Sequence, residues 1–127
     1  MLENVSAFSG FAVDDLAAAR KFYEMLELDV VQTPMGLELH FEDRNPVYVY
    51  EKPDFEPANY TILNFEVDDI DAVVDELVAN GVTLEVYDNM PFAQDAKGIA
   101  RGKEAGMGPD IAWFKDPAGN IFSVVGA

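Results

Sequence analysis

Phe11-Ala12-Val13-Asp14-Asp15-Leu16 and Phe65-Glu66-Val67-Asp68-Asp69-Ile70 are two versions of one short pattern, 54 positions apart. In each, the apolar end of a predicted strand is followed by an aspartate pair and then by helical periodicity. Aspartate is a preferred N-cap because its carboxylate accepts hydrogen bonds from the free amides of the first helical turn. The repeat therefore predicts that one strand–helix unit occurs twice in this chain.

The first half of the chain is predicted to be one βαβββ unit. Residues 5–13 form the first strand, and Asp14 or Asp15 caps the helix that follows. The apolar positions of this helix recur at helical spacing, at Leu16, Ala19, Phe22, Tyr23 and Leu26. Turn signals then separate three short predicted strands at residues 29–33, 36–41 and 46–51.

The second half repeats this plan from residue 60 onwards. A strand at 60–67 leads to a helix capped by Asp68 or Asp69 and ended by Asn80-Gly81, since glycine tolerates the left-handed conformation. Its apolar stripe is the clearest in the chain: Ile70, Val73, Val74, Leu77 and Val78. Residues 83–87 are predicted to be a strand, residues 89–109 a long glycine-containing loop, and residues 110–114 and 121–125 a hairpin. The loop is either a mobile surface insertion, the favoured interpretation, or a lid that closes on a ligand.

Composition bounds the classes of function. The chain has 127 residues, of which 50% are hydrophobic, and it has no cysteine, which excludes disulfides and thiolate chemistry. No apolar run approaches the roughly 18 residues that span a bilayer, and the first residues lack the pattern of a signal peptide. The net charge of −16 repels phosphate backbones. We therefore expect a cytoplasmic protein without nucleic-acid or membrane partners, whose acidity serves mainly solubility and secondarily favours cationic over anionic ligands.

The repeat resembles the βαβββ module of the vicinal oxygen chelate superfamily, which includes glyoxalase I, extradiol dioxygenases, epimerases and bleomycin resistance proteins. The resemblance is strongest in Val13-Asp14-Asp15-Leu16 with Phe22-Tyr23, and in Phe114-Lys115-Asp116-Pro117-Ala118-Gly119-Asn120. It implies an α+β fold in which two βαβββ modules form curved mixed sheets around a cleft. A single domain would cover residues 1–127, with modules 1–52 and 60–127 joined by linker 53–59. It also implies a homodimer.

Members of this superfamily normally hold a divalent metal at four positions, two in each module. Carried over to this chain, three of these positions are Phe8, Ile62 and Ser123, and the fourth lies in residues 47–51, where Glu51 is the only carboxylate. Phenylalanine and isoleucine have no lone pairs to donate, and serine is a poor neutral ligand. We therefore expect no metal and no cofactor.

The same resemblance and strand parity predict a ligand-binding surface. Trp113 offers a ring for stacking, or else is a core or interface residue. Glu66 is a candidate general base or cation-binding group, or else a solvated strand residue, and His40 is the only histidine. Tyr48 and Tyr50 share one face of their strand, but the sequence does not show which. The predicted surface comprises Phe8, Ile62, Asn64, Glu66, Trp113 and Ser123, with His40 and Glu51 as weaker members.

The leading functional prediction is metal-independent binding of a small aromatic or cationic organic molecule, as in the drug-sequestering bleomycin resistance proteins. One alternative is a glyoxalase-like or dioxygenase-like metalloenzyme that uses Glu51 or Glu66 in an atypical ligand set. Another is a non-catalytic dimerising domain. No Walker motif or nucleophile elbow is present, and no catalytic residue is identified.

Overall fold

The computed structural model describes all 127 residues and divides them into two compact units, residues 1–57 and 58–127. The first unit contains β1 (Gly10–Val13), α1 (Leu16–Met25), β2 (Asp29–Thr33), β3 (Gly36–His40) and β4 (Val47–Glu51). The second contains β5 (Thr61–Val67), α2 (Ile70–Ala79), α3 (Gly102–Ala105), β6 (Ile111–Lys115) and β7 (Ile121–Gly126). Each unit has one mixed sheet, of four and three strands respectively, which confirms the predicted α+β class.

In the first unit the strands are ordered β1-β4-β3-β2, with β1 parallel to β4 and the other neighbours antiparallel. Alternate residues of the two central strands are buried on the side that α1 covers, namely Leu37, Leu39, Val47 and Val49. Tyr23 of α1 is fully buried and meets the ring of Phe11 edge-on, with ring centroids 6.4 Å apart. The amphipathic helix predicted from the sequence therefore supplies this core.

The second unit has the strand order β5-β7-β6, with β5 parallel to β7 and β6 antiparallel to it. Phe122 of β7 is fully buried at the centre of three aromatic rings. It meets Phe65 and Phe114 edge-on at centroid distances of 5.7 and 5.8 Å. The helix α2 packs on the same face, because Ile70 lies against Gly126, which has the same parity as Phe122. The opposite face of this sheet is therefore free of α2.

Both helices begin where the repeated aspartates predict. The N-caps are Asp15 and Asp69, and their carboxylates accept hydrogen bonds from the amides of Ala18 and Ala72, both at 3.1 Å. Gly81 follows α2 with a φ of 89°, as the Asn80-Gly81 signal predicts. Local chemistry thus decides these boundaries. The longest helices, α1 and α2, have ten residues each, too few to span a bilayer.

Three predicted elements are wrong in extent. The first strand begins at Gly10 rather than at residue 5. Residues 83–87 form only an isolated bridge between Leu84 and Phe114, and Val86 is left 73% exposed, because the segment meets the sheet edge at one point and then leaves it. Residues 89–109, predicted to be a loop throughout, contain α3 and a bridge between Ala100 and Ile111.

Candidate functional site

A row of three side chains crosses the second sheet on the face free of α2. The strand register places Asn64 beside Ser123 and Ser123 beside Trp113. Ser123 is fully buried, and its hydroxyl donates a hydrogen bond to Oδ1 of Asn64 at 2.5 Å. The central position of the row is therefore a satisfied polar group rather than a free nucleophile or ligand.

Trp113 is held in one orientation by two neighbours. Its Nε1 donates to the hydroxyl of Thr61 at 3.1 Å, and its ring meets that of Tyr87 edge-on at 5.6 Å and 78°. The Tyr87 hydroxyl is buried without a hydrogen-bond partner, and burial, followed by the charge of Glu85, raises the pKa of this phenol. A buried polar group without a partner is rare and costly in folded proteins. Tyr87 is thus a candidate site residue that the sequence did not suggest.

The structure places the remaining predicted members of the second unit near this row. Glu66 is exposed and has the same strand parity as Asn64. Ile62 is half-buried and lies at an irregularity in the pairing of β5 with β7, between Thr61 and Leu63. One sheet face therefore carries Asn64, Glu66, Trp113 and Ser123 together, as strand parity predicts, and their role in ligand binding stays a prediction.

The predicted residues of the first unit belong to a second group. His40 projects from the sheet face opposite α1, and its Nε2 lies 2.8 Å from Oε1 of Glu38. Glu38 also accepts a hydrogen bond from the hydroxyl of Tyr48. These bonds, first from Tyr48 and then from His40, hold the pKa of Glu38 below its ordinary value, and the carboxylate raises the pKa of Tyr48. Phe8 lies before β1, is 64% exposed, and its ring centroid is 4.8 Å from that of Tyr48.

The orientation of β4, left open by the sequence, follows from burial. Val47 and Val49 are each 1% exposed on the α1 side, so Tyr48 and Tyr50 lie on the opposite face with His40. Glu51 has the parity of the valines, and its Oε1 accepts a hydrogen bond from the amide of Leu16 at 3.2 Å. Glu51 therefore satisfies a free amide at the start of α1 and lies on a different sheet face from His40.

The residues at the four metal positions of the superfamily do not fit a divalent cation. Phe8 and Ile62 have no donor atom, the hydroxyl of Ser123 is buried and already bonded to Asn64, and Glu51 accepts a hydrogen bond from the amide of Leu16. No group of three or more His, Asp or Glu side chains is placed to hold a metal ion. Hard and borderline metals need several such donors at once.

Ion pairs around Arg101 hold the 89–109 loop onto the second unit. The guanidinium lies 2.8 Å from both Asp71 and Asp95 and 3.4 Å from Asp110, and Lys97 bonds Asp71 at 3.0 Å. Hydrogen bonds from Arg101, then Lys97, hold the pKa of Asp71 far below its ordinary value. Because these contacts join the loop to the first turn of α2, the loop is a packed part of the unit. Ile99, beside them, is fully buried.

Comparison with known proteins identifies the fold. No protein-family model matches the chain, and no curated protein matches its sequence. Among solved structures, the antibiotic binding protein TnmS3 from Streptomyces sp. CB03234 is 23% identical, with a TM-score of 0.64 over 97% of both chains. A glyoxalase/bleomycin resistance protein from the same organism is 22% identical, with a TM-score of 0.61 over 95% of this chain and 99% of that one.

A third similar structure is described as a glyoxalase/dioxygenase. A glyoxalase/dioxygenase from Nostoc punctiforme is 15% identical, with a TM-score of 0.67 over 96% of this chain and 90% of that one. At these identities the likeness concerns architecture and does not transfer an activity. The predicted fold is thereby confirmed: this chain has a glyoxalase/bleomycin resistance/dioxygenase-like fold.

Proposed function

We propose that this protein binds a small aromatic or cationic organic molecule without a metal, on the second sheet around Trp113. The observation that carries the proposal is the pairing of an oriented indole with the buried, unpartnered hydroxyl of Tyr87 at its edge. An apolar surface with a few placed polar groups is the usual composition of a small-molecule site. The hydroxyl is closed to solvent, so a ligand completes its hydrogen bond only when the Tyr87 ring moves outward.

The fixed geometry of Trp113 supports stacking. Its bond to Thr61 and its edge contact with Tyr87 restrict the ring before any ligand arrives, so little conformational entropy is lost on binding. Glu66, exposed on the same face, supplies a negative charge for a cationic group. The net charge of −16 favours the approach of cations over that of anions.

The similar structures agree with a binding role. One of them is described as an antibiotic binding protein, and we extend that class of function, not the particular ligand, to this chain. The metalloenzyme alternative needs an atypical ligand set that includes Glu51 or Glu66, and neither belongs to a group of three or more His, Asp or Glu side chains. No observation identifies a catalytic residue.

A homodimer in the cytoplasm is part of the same proposal. Leu2 and Val5 near the start of the chain are 78% and 60% exposed. Exposed apolar side chains grouped in one segment are common where proteins associate, and a twofold dimer is the commonest closed assembly. Light scattering that gives a dimeric mass, lost when Leu2 and Val5 are changed to serine, would support this assembly.

The fluorescence of Trp113, the only tryptophan, tests the binding site. The probes are benzyltrimethylammonium, benzyl alcohol and benzoate. We expect saturable quenching by the first two, weaker quenching by benzoate, and no change when a chelator is added. Elemental analysis that finds one tightly bound transition metal per chain would overturn the proposal, as would the absence of saturable quenching by every probe.

Two substitutions test the polar groups. Tyr87→Phe removes the unpartnered hydroxyl, so it should leave stability unchanged or slightly higher while weakening benzyl alcohol binding by about threefold to tenfold. Glu66→Gln should weaken binding of the cationic probe more than that of the neutral one, and this gap should narrow at high salt. Glu56→Gln, an equal charge change in the exposed connector, is the matched control. Equal effects of the two glutamate variants would show that only net charge matters.

A further inference from the structure

A hydrogen-bonded cluster on the first sheet lies outside the Trp113 row. It consists of Glu38, His40 and Tyr48, with Phe8 against Tyr48, and we call it the Glu38 cluster. Glu38 is its centre, because it accepts bonds from both other polar members. The Glu38 side chain is only 18% exposed, whereas that of His40 is 38% exposed. A largely shielded carboxylate is therefore held at one position beneath an accessible rim.

The cluster joins two features that attract an organic cation. The carboxylate supplies charge, and the rings of Phe8 and Tyr48, tilted by 37° with centroids 4.8 Å apart, supply aromatic faces. The hydroxyl of Tyr48 donates its proton toward Glu38, which pushes electron density into the phenol ring and makes its face more attractive to a cation. Aromatic faces are the usual receptor for quaternary ammonium groups.

His40 gives the same cluster a dependence on pH. Its Nε2 is hydrogen-bonded to the Glu38 carboxylate, so protonation of the imidazole places a positive charge beside that carboxylate and cancels its field. The other charged group that faces His40 is Asp29, paired with it on β2, and the paired strands present no lysine or arginine on this face. Because hydrogen bonds from Tyr48 and His40 lower the pKa of Glu38, the carboxylate stays ionised at pH 5. Among protein side chains, imidazole is the one that ordinarily changes charge between pH 5 and 8.

We propose that the Glu38 cluster is a binding site for an alkylammonium cation, and that protonation of His40 closes it. The inference rests on the proposed function for the general class of ligand, and it adds the charged group that is recognised, the residues that recognise it and the pH control. It is independent of stacking on Trp113.

The probe is tetramethylammonium, with tert-butanol as a neutral molecule of similar size. Binding is followed by NMR of the aromatic side chains in the full-length protein at pH 8 and pH 5. At pH 8 we expect saturable shifts of the Tyr48 and His40 rings with tetramethylammonium and none with tert-butanol. At pH 5 the affinity should fall by about tenfold, the usual scale for losing one local opposite charge.

Variants separate the cluster from the general acidity of the chain. Glu38→Gln should abolish the saturable shifts, and the matched charge change Glu56→Gln should leave them intact. His40→Gln should preserve affinity at pH 8 and remove its pH dependence. Tyr48→Phe retains the ring, loses the bond to Glu38 and should weaken binding about threefold, which provides a test if Glu38→Gln fails to fold.

Two results would overturn this inference. One is equal weakening by Glu38→Gln and Glu56→Gln, which would indicate diffuse attraction by net charge. The other is a shift pattern confined to Trp113. Quenching of Trp113 by benzyl alcohol in the Glu38→Gln variant distinguishes the two proposals, because it would persist if only the Glu38 cluster is wrongly assigned and be absent if the Trp113 site is wrong.

Discussion

Replacement of Trp113 by phenylalanine and by alanine separates packing from ligand binding at one position. Phenylalanine keeps an aromatic face but lacks Nε1, which in the parent protein donates a hydrogen bond to Thr61 at 3.1 Å. Loss of this bond should lower the free energy of unfolding by about 0.5–1.5 kcal/mol. Alanine also removes the edge contact with Tyr87, worth about 0.5–1.5 kcal/mol, and part of the buried ring surface. Because Trp113 is only half-buried, the total for alanine should be about 2–4 kcal/mol.

The two substitutions should differ more in their effect on ligand affinity than in their effect on stability. Stacking on an indole contributes about 1–3 kcal/mol, so Trp113→Ala should weaken benzyltrimethylammonium about fivefold to 150-fold. The affinity of Trp113→Phe for the same probe should stay within about threefold of that of the parent protein, since an aromatic ring remains. Urea denaturation gives the stability of each variant, and calorimetry gives the affinity.

Thr61→Val is the matched control for these variants. It removes the acceptor of the indole hydrogen bond and leaves the ring in place, so it should cost about 1 kcal/mol of stability with little change in affinity. If Trp113→Ala lowers stability while every probe binds as before, Trp113 is a packing residue and stacking is refuted. If Thr61→Val weakens binding as much as Trp113→Ala, orientation of the ring matters more than its surface.

Other predictions concern stability and are checked by thermal or urea unfolding. Asp71 and Asp95 have lower pKa values in the folded protein than in the unfolded chain, because hydrogen bonds from Arg101 to Asp71, and from backbone amides and Arg101 to Asp95, outweigh burial. The unfolded chain therefore binds more protons in acid, and the free energy of unfolding should fall as pH drops below about 4. This fall should be smaller in Arg101→Met. Asp69→Ala should cost about 1 kcal/mol, because the amide of Ala72 loses its acceptor; an unchanged midpoint would contradict the cap. Gly36→Ala should cost more than about 2 kcal/mol, since its φ is 141° and the new Cβ would lie 2.2 Å from the carbonyl oxygen of Val49. Gly106→Ala is its control and should cost less, because Gly106 also has a positive φ, of 66°, but a Cβ there meets nothing within 4 Å.

Part of the candidate site could be predicted from the chain, and part could not. Strand parity was enough to group Asn64 with Glu66, and the hairpin turn was enough to place Trp113 opposite Phe114. Glu38 and Tyr87 were not predicted as site residues. Glu38 is a site residue because Tyr48 is paired with it on the neighbouring strand, and Tyr87 is one because its ring meets that of Trp113. No local sequence pattern indicates either neighbour.

The sequence alone determined the elements that depend on neighbouring residues. The aspartate caps Asp15 and Asp69, the apolar stripe of α2 and the left-handed Gly81 each express an interaction within one or two turns of chain. Tertiary structure alone decided which distant residues share a surface. Ser123 bonds Asn64 across 59 positions, and Arg101 reaches Asp71 across 30, because strand register and loop packing place them there. Residues 83–87 have strand composition yet form only a bridge, since pairing depends on a partner edge that the segment itself does not encode.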